Sequence, residues 1–171
     1  VCLMTEHFYS QLQVLEGEKA LSHEARLRAA AGPLLSWYEQ NARSLPWRDE
    51  PTPYRVWISE IMLQQTRVEA VKPYFARFME ALPQVQALAQ VEDERLMKLW
   101  EGLGYYSRAR NLKKAAIQIV EKYGGNLPAD TDELLKLPGI GSYTAGAIAS
   151  IAFGIAAPAV DGNVLRVLSR L

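Results

Sequence analysis

Two carboxylates in this chain stand in settings that favour opposite protonation states. Glu60 lies within "WISEIML", a run of otherwise apolar residues. If that run is buried, the charged form is disfavoured and the proton stays available near neutral pH, as a general acid requires. By local sequence alone a surface glutamate is the commoner case, since Glu is rarely fully buried. Asp161 opens "DGNVLRVLSRL". It reads as an ordinary N-cap, and the same geometry would hold its carboxylate ionised against the helix dipole. A third feature is "LPGIGSYTAGAI", residues 137–148, in which Pro138, Gly139, Ile140 and Gly141 punctuate two helical segments. Paired glycines permit positive φ and leave amides bare at the start of the next helix. Such a turn holds a phosphate without a lysine or arginine. The plain alternative is a tight packing turn pinned by Ile140, and Gly-x-Gly alone does not decide between them.

The elements that must position these groups read as helices joined by short turns, with no strand pattern and no internal repeat. Gly32-Pro33 is expected to separate a short polar helix from "LLSWYEQNARSL". Thr52-Pro53 is a helix start: a hydroxyl able to cap free amides, then a proline where its missing N–H costs nothing. Trp57, Ile61, Val68 and Val71 fall near one face of the helix that follows. "QVEDERLMKLWEGLG" is a helix ended by glycine, and "SRARNLKKAAIQIVEKYGG" places Ala109, Leu112, Ala116, Ile119 and Tyr123 on one stripe before Gly124-Gly125. Asp130 and Glu133 resemble a capping box. "YTAGAIASIAF" has almost no polar face and is expected to be a central helix packed closely through Ala and Gly.

At 171 residues the chain suffices for one domain, or one and part of another. No apolar run approaches the roughly 20 residues of a membrane span, and the N-terminus does not read as a secretory signal. The single cysteine, Cys2, excludes an internal disulfide or multi-cysteine metal site and suits a reducing compartment. Net charge is zero, but Arg108, Arg110, Lys113 and Lys114 form a local basic stretch. It either approaches a polyanion or is a solvated helix face.

The hairpin, followed by "GIAAPAVDGNV", resembles the helix–hairpin–helix superfamily of base-excision DNA glycosylases. The likeness runs from about Leu34 to Leu171. Within that superfamily "LPWR", "PYRVWISEIMLQQTRVEAVKPYF", "WEGLGYYSRARNL" and "VDGNVLRVLSRL" are most similar to the adenine DNA glycosylases, which remove adenine mispaired with 8-oxoguanine or guanine. The resemblance implies an all-α fold, mainly its six-helix barrel part. Residues 1–32 would be an N-terminal extension and 33–171 the catalytic region, with the hairpin at about 134–150 and truncation at the C-terminus. It further implies a DNA N-glycosylase acting in base excision repair on double-stranded DNA, monomeric, cytoplasmic and without a membrane partner. The alternatives are an endonuclease III-like glycosylase/lyase for oxidised pyrimidines, or a non-catalytic hairpin that only holds DNA.

The resemblance also assigns roles. Breaking a glycosidic bond through an oxocarbenium-like transition state needs a proton for the leaving base and negative charge near the sugar. Glu60 matches the proton donor and Asp161 the carboxylate at the sugar, with Asn163 beside it. Tyr143 stands where lyase relatives carry the lysine that forms a Schiff base, so the chain reads as monofunctional; an aromatic packed at a helix start is the alternative. Leu165 stands where some adenine glycosylases have a lysine. Arg43, Trp47, Arg48, Leu63 and Val68 match the adenine pocket or its rim. Gln65 and Tyr105 match residues entering the duplex, with Gln64 and Leu103 nearby, and Gly139, Ile140 and Gly141 match the phosphate-binding hairpin. A 4Fe-4S cluster is expected in the full-length family from cysteines beyond Leu171, and no metal site within this chain. The segment alone is expected to be weak or inactive.

Overall fold

The computed structural model describes residues 22–170; Cys2 and most of the expected N-terminal extension lie outside the described residues. The described residues form helices and no strand. They divide into two compact units, one of residues up to Arg43 together with those from Gly162 onward, the other Ser44–Asp161.

In the first unit, α1 (His23–Asn41) is capped by Ser22, whose side chain accepts from the Ala25 amide at 3.3 Å. The helix runs straight through Gly32-Pro33, which corrects the expected break. An interior proline costs about 3 kcal/mol and one hydrogen bond, yet a helix of 19 residues continues on both sides of it. The unit's other helix, α10 (Gly162–Leu168), begins directly after Asp161.

The second unit carries α2 (Pro46–Asp49), α3 (Pro53–Leu63), α4 (Val68–Ala81), α5 (Val85–Gln90), α6 (Asp93–Trp100), α7 (Ser107–Tyr123), α8 (Thr131–Leu135) and α9 (Ser142–Phe153). Thr52 caps α3 by accepting from the Arg55 amide at 3.3 Å, with Pro53 in the first turn. The helix ends at Leu63, so Val68 and Val71 belong to α4 instead of continuing it. Val68 lies seven positions after Ile61, close to two helical turns, and a shared phase across the turn imitates a single helix.

Apolar faces meet at a core containing Trp57, Phe75, Phe78, Leu88, Leu96, Trp100, Leu112, Ile119 and Ile148. Aromatic edges organise it: Phe78 on Trp100 at 6.1 Å and Tyr54 on Trp57 at 6.2 Å. The α7 stripe is buried from Ala109 through Ile119 and half-buried at Tyr123, and Gly124 terminates the helix in the left-handed conformation at φ 62°. Asp130 accepts from the amides of Asp132 and Glu133, forming half of the expected capping box. Glu133 instead takes the Tyr123 hydroxyl at 2.7 Å and Lys136 at 2.5 Å. Helix α9 is buried from Thr144 to Ala149 and packs against α3 and α8. That pairing of α9 with α3 positions the chemistry.

Candidate active site

Glu60 is held by a helix buried on nearly every side. Val56, Trp57, Ile58, Ser59, Ile61 and Met62 of α3 are all buried, while Glu60 itself is only partly covered. Burial is the largest influence on its carboxyl and pushes its pKa above the ordinary 4.5. A hydrogen bond from the Tyr143 hydroxyl and the positive charge of Arg48 draw it back, and the negative charge of Asp161 raises it again. Glu60 and Asp161, 101 positions apart in sequence, thus sit close enough to sense each other's charge.

Tyr143 stands in the first turn of α9, half-buried, with its phenol aimed at Glu60. Burial, the Glu60 charge, the hydrogen bond to Glu60 and the charge of Asp161 together push its pKa up to about 12. It therefore keeps its proton and donates a hydrogen bond to Glu60 throughout the neutral range. This places Tyr143 among the carboxylates, beyond a mere packing role.

Asp161 reaches the cluster on the segment that follows α9. Gly146 makes that approach possible: a Cβ there would lie 2.8 Å from the Pro158 carbonyl carbon, closer still to its oxygen, and 3.3 Å from the Ala159 Cα. All three atoms are backbone, so no side-chain rotation relieves the overlap. The small-residue character of "YTAGAIASIAF" thus serves the loop bearing Asp161 as well as helix packing.

Arg48 is carried by α2, a single turn fixed to α3 by the Arg55 guanidinium, which donates to the Pro46 carbonyl at 2.7 Å. Trp47, expected at the pocket, is buried with its ring edge-on to Phe75 at 5.3 Å, and so anchors this turn in the core. Leu63 and Val68 pack partly buried against the core at the two ends of the α3–α4 turn. Arg43 and Asn163 belong to the first unit.

The hairpin between α8 and α9 shows a division of labour. Gly139 has φ 80°, and a Cβ there would meet the Asn111 Cβ at 2.9 Å, so glycine is required twice over. Ile140 is buried and pins the turn, as expected. Gly141 has φ −95° with nothing within 4 Å of a notional Cβ. Of the two glycines that permit positive φ, only the first uses it; Gly141 faces open space. It forms the N-cap of α9 with no side-chain capping bond, which leaves the first-turn amides to an outside acceptor.

Gln65 and Tyr105, expected to enter a duplex, share one backbone peculiarity. They are the two non-glycine residues with positive φ among the described residues, at 57° and 46°. Tyr105 is 62% exposed, and Leu103 beside it is buried. Both turns are tied down by Arg108, which the basic stretch had suggested was solvated or facing a polyanion. It is only 8% exposed and spends its guanidinium on backbone carbonyls. Lys113, from the same stretch, pairs with Asp93. Sequence reasoning missed Arg108 because its partners lie up to 47 positions away, and nothing local distinguishes it from Arg110. Among the described residues, no group of three or more His, Cys, Asp or Glu side chains converges to hold a metal ion.

An all-helical fold with a glycine hairpin feeding a buried helix, and with Glu60 and Asp161 sensing each other's charge beside Tyr143 at that helix's start, points to one class. The chain belongs to the HhH-GPD superfamily of base excision DNA repair proteins, whose family model matches residues 58–171. Within it, the chain is similar to the adenine DNA glycosylase of Homo sapiens, 51% identical over 86% of this chain and 29% of that protein. By structure it is similar to a thermostable thymine-DNA glycosylase (TM-score 0.78, 30% identity, 82% of this chain and 65% of that one). A non-covalent endonuclease III–DNA complex gives TM-score 0.75 and 30% identity, over 86% of this chain and 68% of the other. The chain spans about a third of the length of the curated relatives it matches.

Proposed function

We propose that this chain is the catalytic segment of a monofunctional adenine DNA glycosylase, acting on adenine opposite 8-oxoguanine or guanine in double-stranded DNA. One observation carries the reading: a half-buried Glu60 with a raised pKa, bonded to the Tyr143 phenol and within electrostatic reach of Asp161. In the proposed reaction the Glu60 carboxyl gives its proton to a ring nitrogen of adenine as the C1′–N bond breaks and its electrons pass to the base. Asp161 stabilises the sugar cation. Water then adds to C1′, and Glu60 recovers a proton, leaving adenine and an abasic site. Tyr143 steers the Glu60 proton and supplies no amine, so no imine forms and the strand stays intact.

Extruding the adenine costs a few kcal/mol. Stacking of an aromatic such as Tyr105 on a base is worth roughly 1–3 kcal/mol and offsets much of this. The α9 amides beyond Gly141 would take a DNA phosphate. The similarity at 51% identity to a human adenine DNA glycosylase supports adenine over pyrimidine substrates. A 4Fe-4S cluster supplied by residues outside this chain, a monomeric state and a reducing, cytoplasmic setting complete the proposal.

The test incubates the full-length protein with duplexes carrying A·8-oxoguanine or thymine glycol, with and without later alkali. Breaks at adenine only after alkali are expected. Breaks without alkali at thymine glycol would support the lyase, and binding with no break in either duplex would support a non-catalytic hairpin.

A further inference from the structure

Arg108 sits in the first turn of α7 and reaches two loops at once. One terminal nitrogen, Nη1, donates to the carbonyls of Ile61, Met62 and Gln64 at 2.8, 3.0 and 2.7 Å. The other, Nη2, donates to the carbonyls of Leu103 and Gly104 at 3.1 and 3.2 Å. The first set ends α3 and lies immediately before Gln65; the second lies immediately before Tyr105. The guanidinium carbon also stands 5.4 Å from the Trp100 ring centre and 5.6 Å from that of Tyr105. Trp100 adds its own bond to the Gly104 carbonyl at 3.1 Å.

The backbone held in this way is strained at both places. Gln65 and Tyr105 adopt left-handed φ without being glycine, and such residues cost of order 1–3 kcal/mol unless their surroundings over-determine them. A fork of planar N–H donors does this for two loops together; a lysine ammonium, a compact point charge on a flexible stem, lacks the fixed geometry.

We propose that Arg108 is a positioning residue that locks the Gln65 and Tyr105 turns into a single two-pronged probe of the DNA duplex, so that neither prong acts without the other. This rests on the glycosylase reading. Weakening the clamp lets both turns relax to ordinary backbone, and the Tyr105 ring is withdrawn even though Tyr105 itself is untouched.

The test uses the full-length protein in a Glu60→Gln background, in which excision is expected to be slow enough for the bound state to be read. The duplex carries A·8-oxoguanine with 2-aminopurine as the neighbour of 8-oxoguanine, a base that brightens when unstacked. The parent brightens the probe at saturation, and adding Tyr105→Ala removes the rise. Adding Arg108→Lys instead is expected to cut the rise to about a tenth, matching the population shift that loss of the over-determining contacts allows. The variant combining Arg108→Lys with Tyr105→Ala is expected to match Tyr105→Ala alone. An undiminished rise with Arg108→Lys, even with a lower melting temperature, would overturn the proposal and leave Arg108 a stability residue. No rise with the parent, together with no adenine excision by the unaltered protein, would instead remove the glycosylase reading itself.

Hydrogen exchange in the unaltered protein provides a check that needs no Arg108 variant. The Thr66 amide, bonded to the Leu63 carbonyl at 3.2 Å, reports one turn, and the Leu103 amide, bonded to the Trp100 carbonyl at 3.1 Å, reports the other. A locked pair opens with one free energy; independent opening overturns the coupling.

Discussion

The balance at Glu60 is set by four named influences with known signs. Burial raises its pKa most, Tyr143 and Arg48 lower it, and Asp161 raises it. The proposed proton donor must be protonated, so excision should fall as pH rises through that pKa. Tyr143→Phe removes a lowering influence and should move this alkaline limb to higher pH, measured by single-turnover excision across pH. Arg48→Gln should move it the same way. Glu60→Gln has no proton to give and should lose about two to four orders of magnitude in rate, the usual worth of general acid catalysis. Local sequence left all of these groups ambiguous: a glutamate among apolar residues, an aspartate at a helix start and a tyrosine after a hairpin are each commonplace. Only the resemblance made them a set, and the structure brings Tyr143, Arg48 and Asp161 within electrostatic reach of Glu60.

Turns and helix ends are where placement is decided. Gly146→Ala forces a methyl group into the Pro158 and Ala159 backbone. It should displace the Asp161 segment by a fraction of an ångström or more, with excision falling by about a hundredfold, as misplacement of that size costs elsewhere. Binding to undamaged duplex, measured by fluorescence anisotropy, should change far less. The two hairpin glycines should respond differently to alanine. Gly139→Ala meets both a left-handed φ and Asn111, and should lower stability by about 1–3 kcal/mol in denaturant titrations. Gly141→Ala meets nothing and should stay within about 0.5 kcal/mol of the parent. Its new methyl would nonetheless stand beside the α9 amides and weaken duplex binding. Helix existence was readable from caps and periodicity at Thr52-Pro53, along α7 and at Gly124. The end of α3 was not, because a long-range guanidinium terminates it and the apolar phase continues unbroken into α4. Nor was the continuity of α1 through Pro33, since a proline removes one hydrogen bond without forbidding the rest.

For the whole molecule, a site that holds a carboxyl against its preferred charge state works against the stability of the fold. The sign follows from linkage: Glu60 has a folded pKa above its unfolded value, so the folded state binds the extra proton between those two pH values. Stability from this group is fully present below about 4.5 and is lost as pH rises through the folded pKa. Glu60→Gln should therefore raise the melting temperature at pH 8 more than at pH 4, while slowing excision by about two to four orders of magnitude, the trade expected of a functional group. A net charge of zero is no obstacle to a nucleic-acid partner when a helix N-terminus and a glycine turn offer amides to a phosphate. The central claim is that an acid and an anion share one site, and the Glu60 carboxyl carbon reports it directly. Followed by carbon-13 NMR against pH in the full-length protein, Glu60 should titrate above 4.5 and shift downward when Asp161 becomes Asn. A Glu60 that titrates at or below 4.5, or that ignores the Asp161→Asn change, would contradict the account.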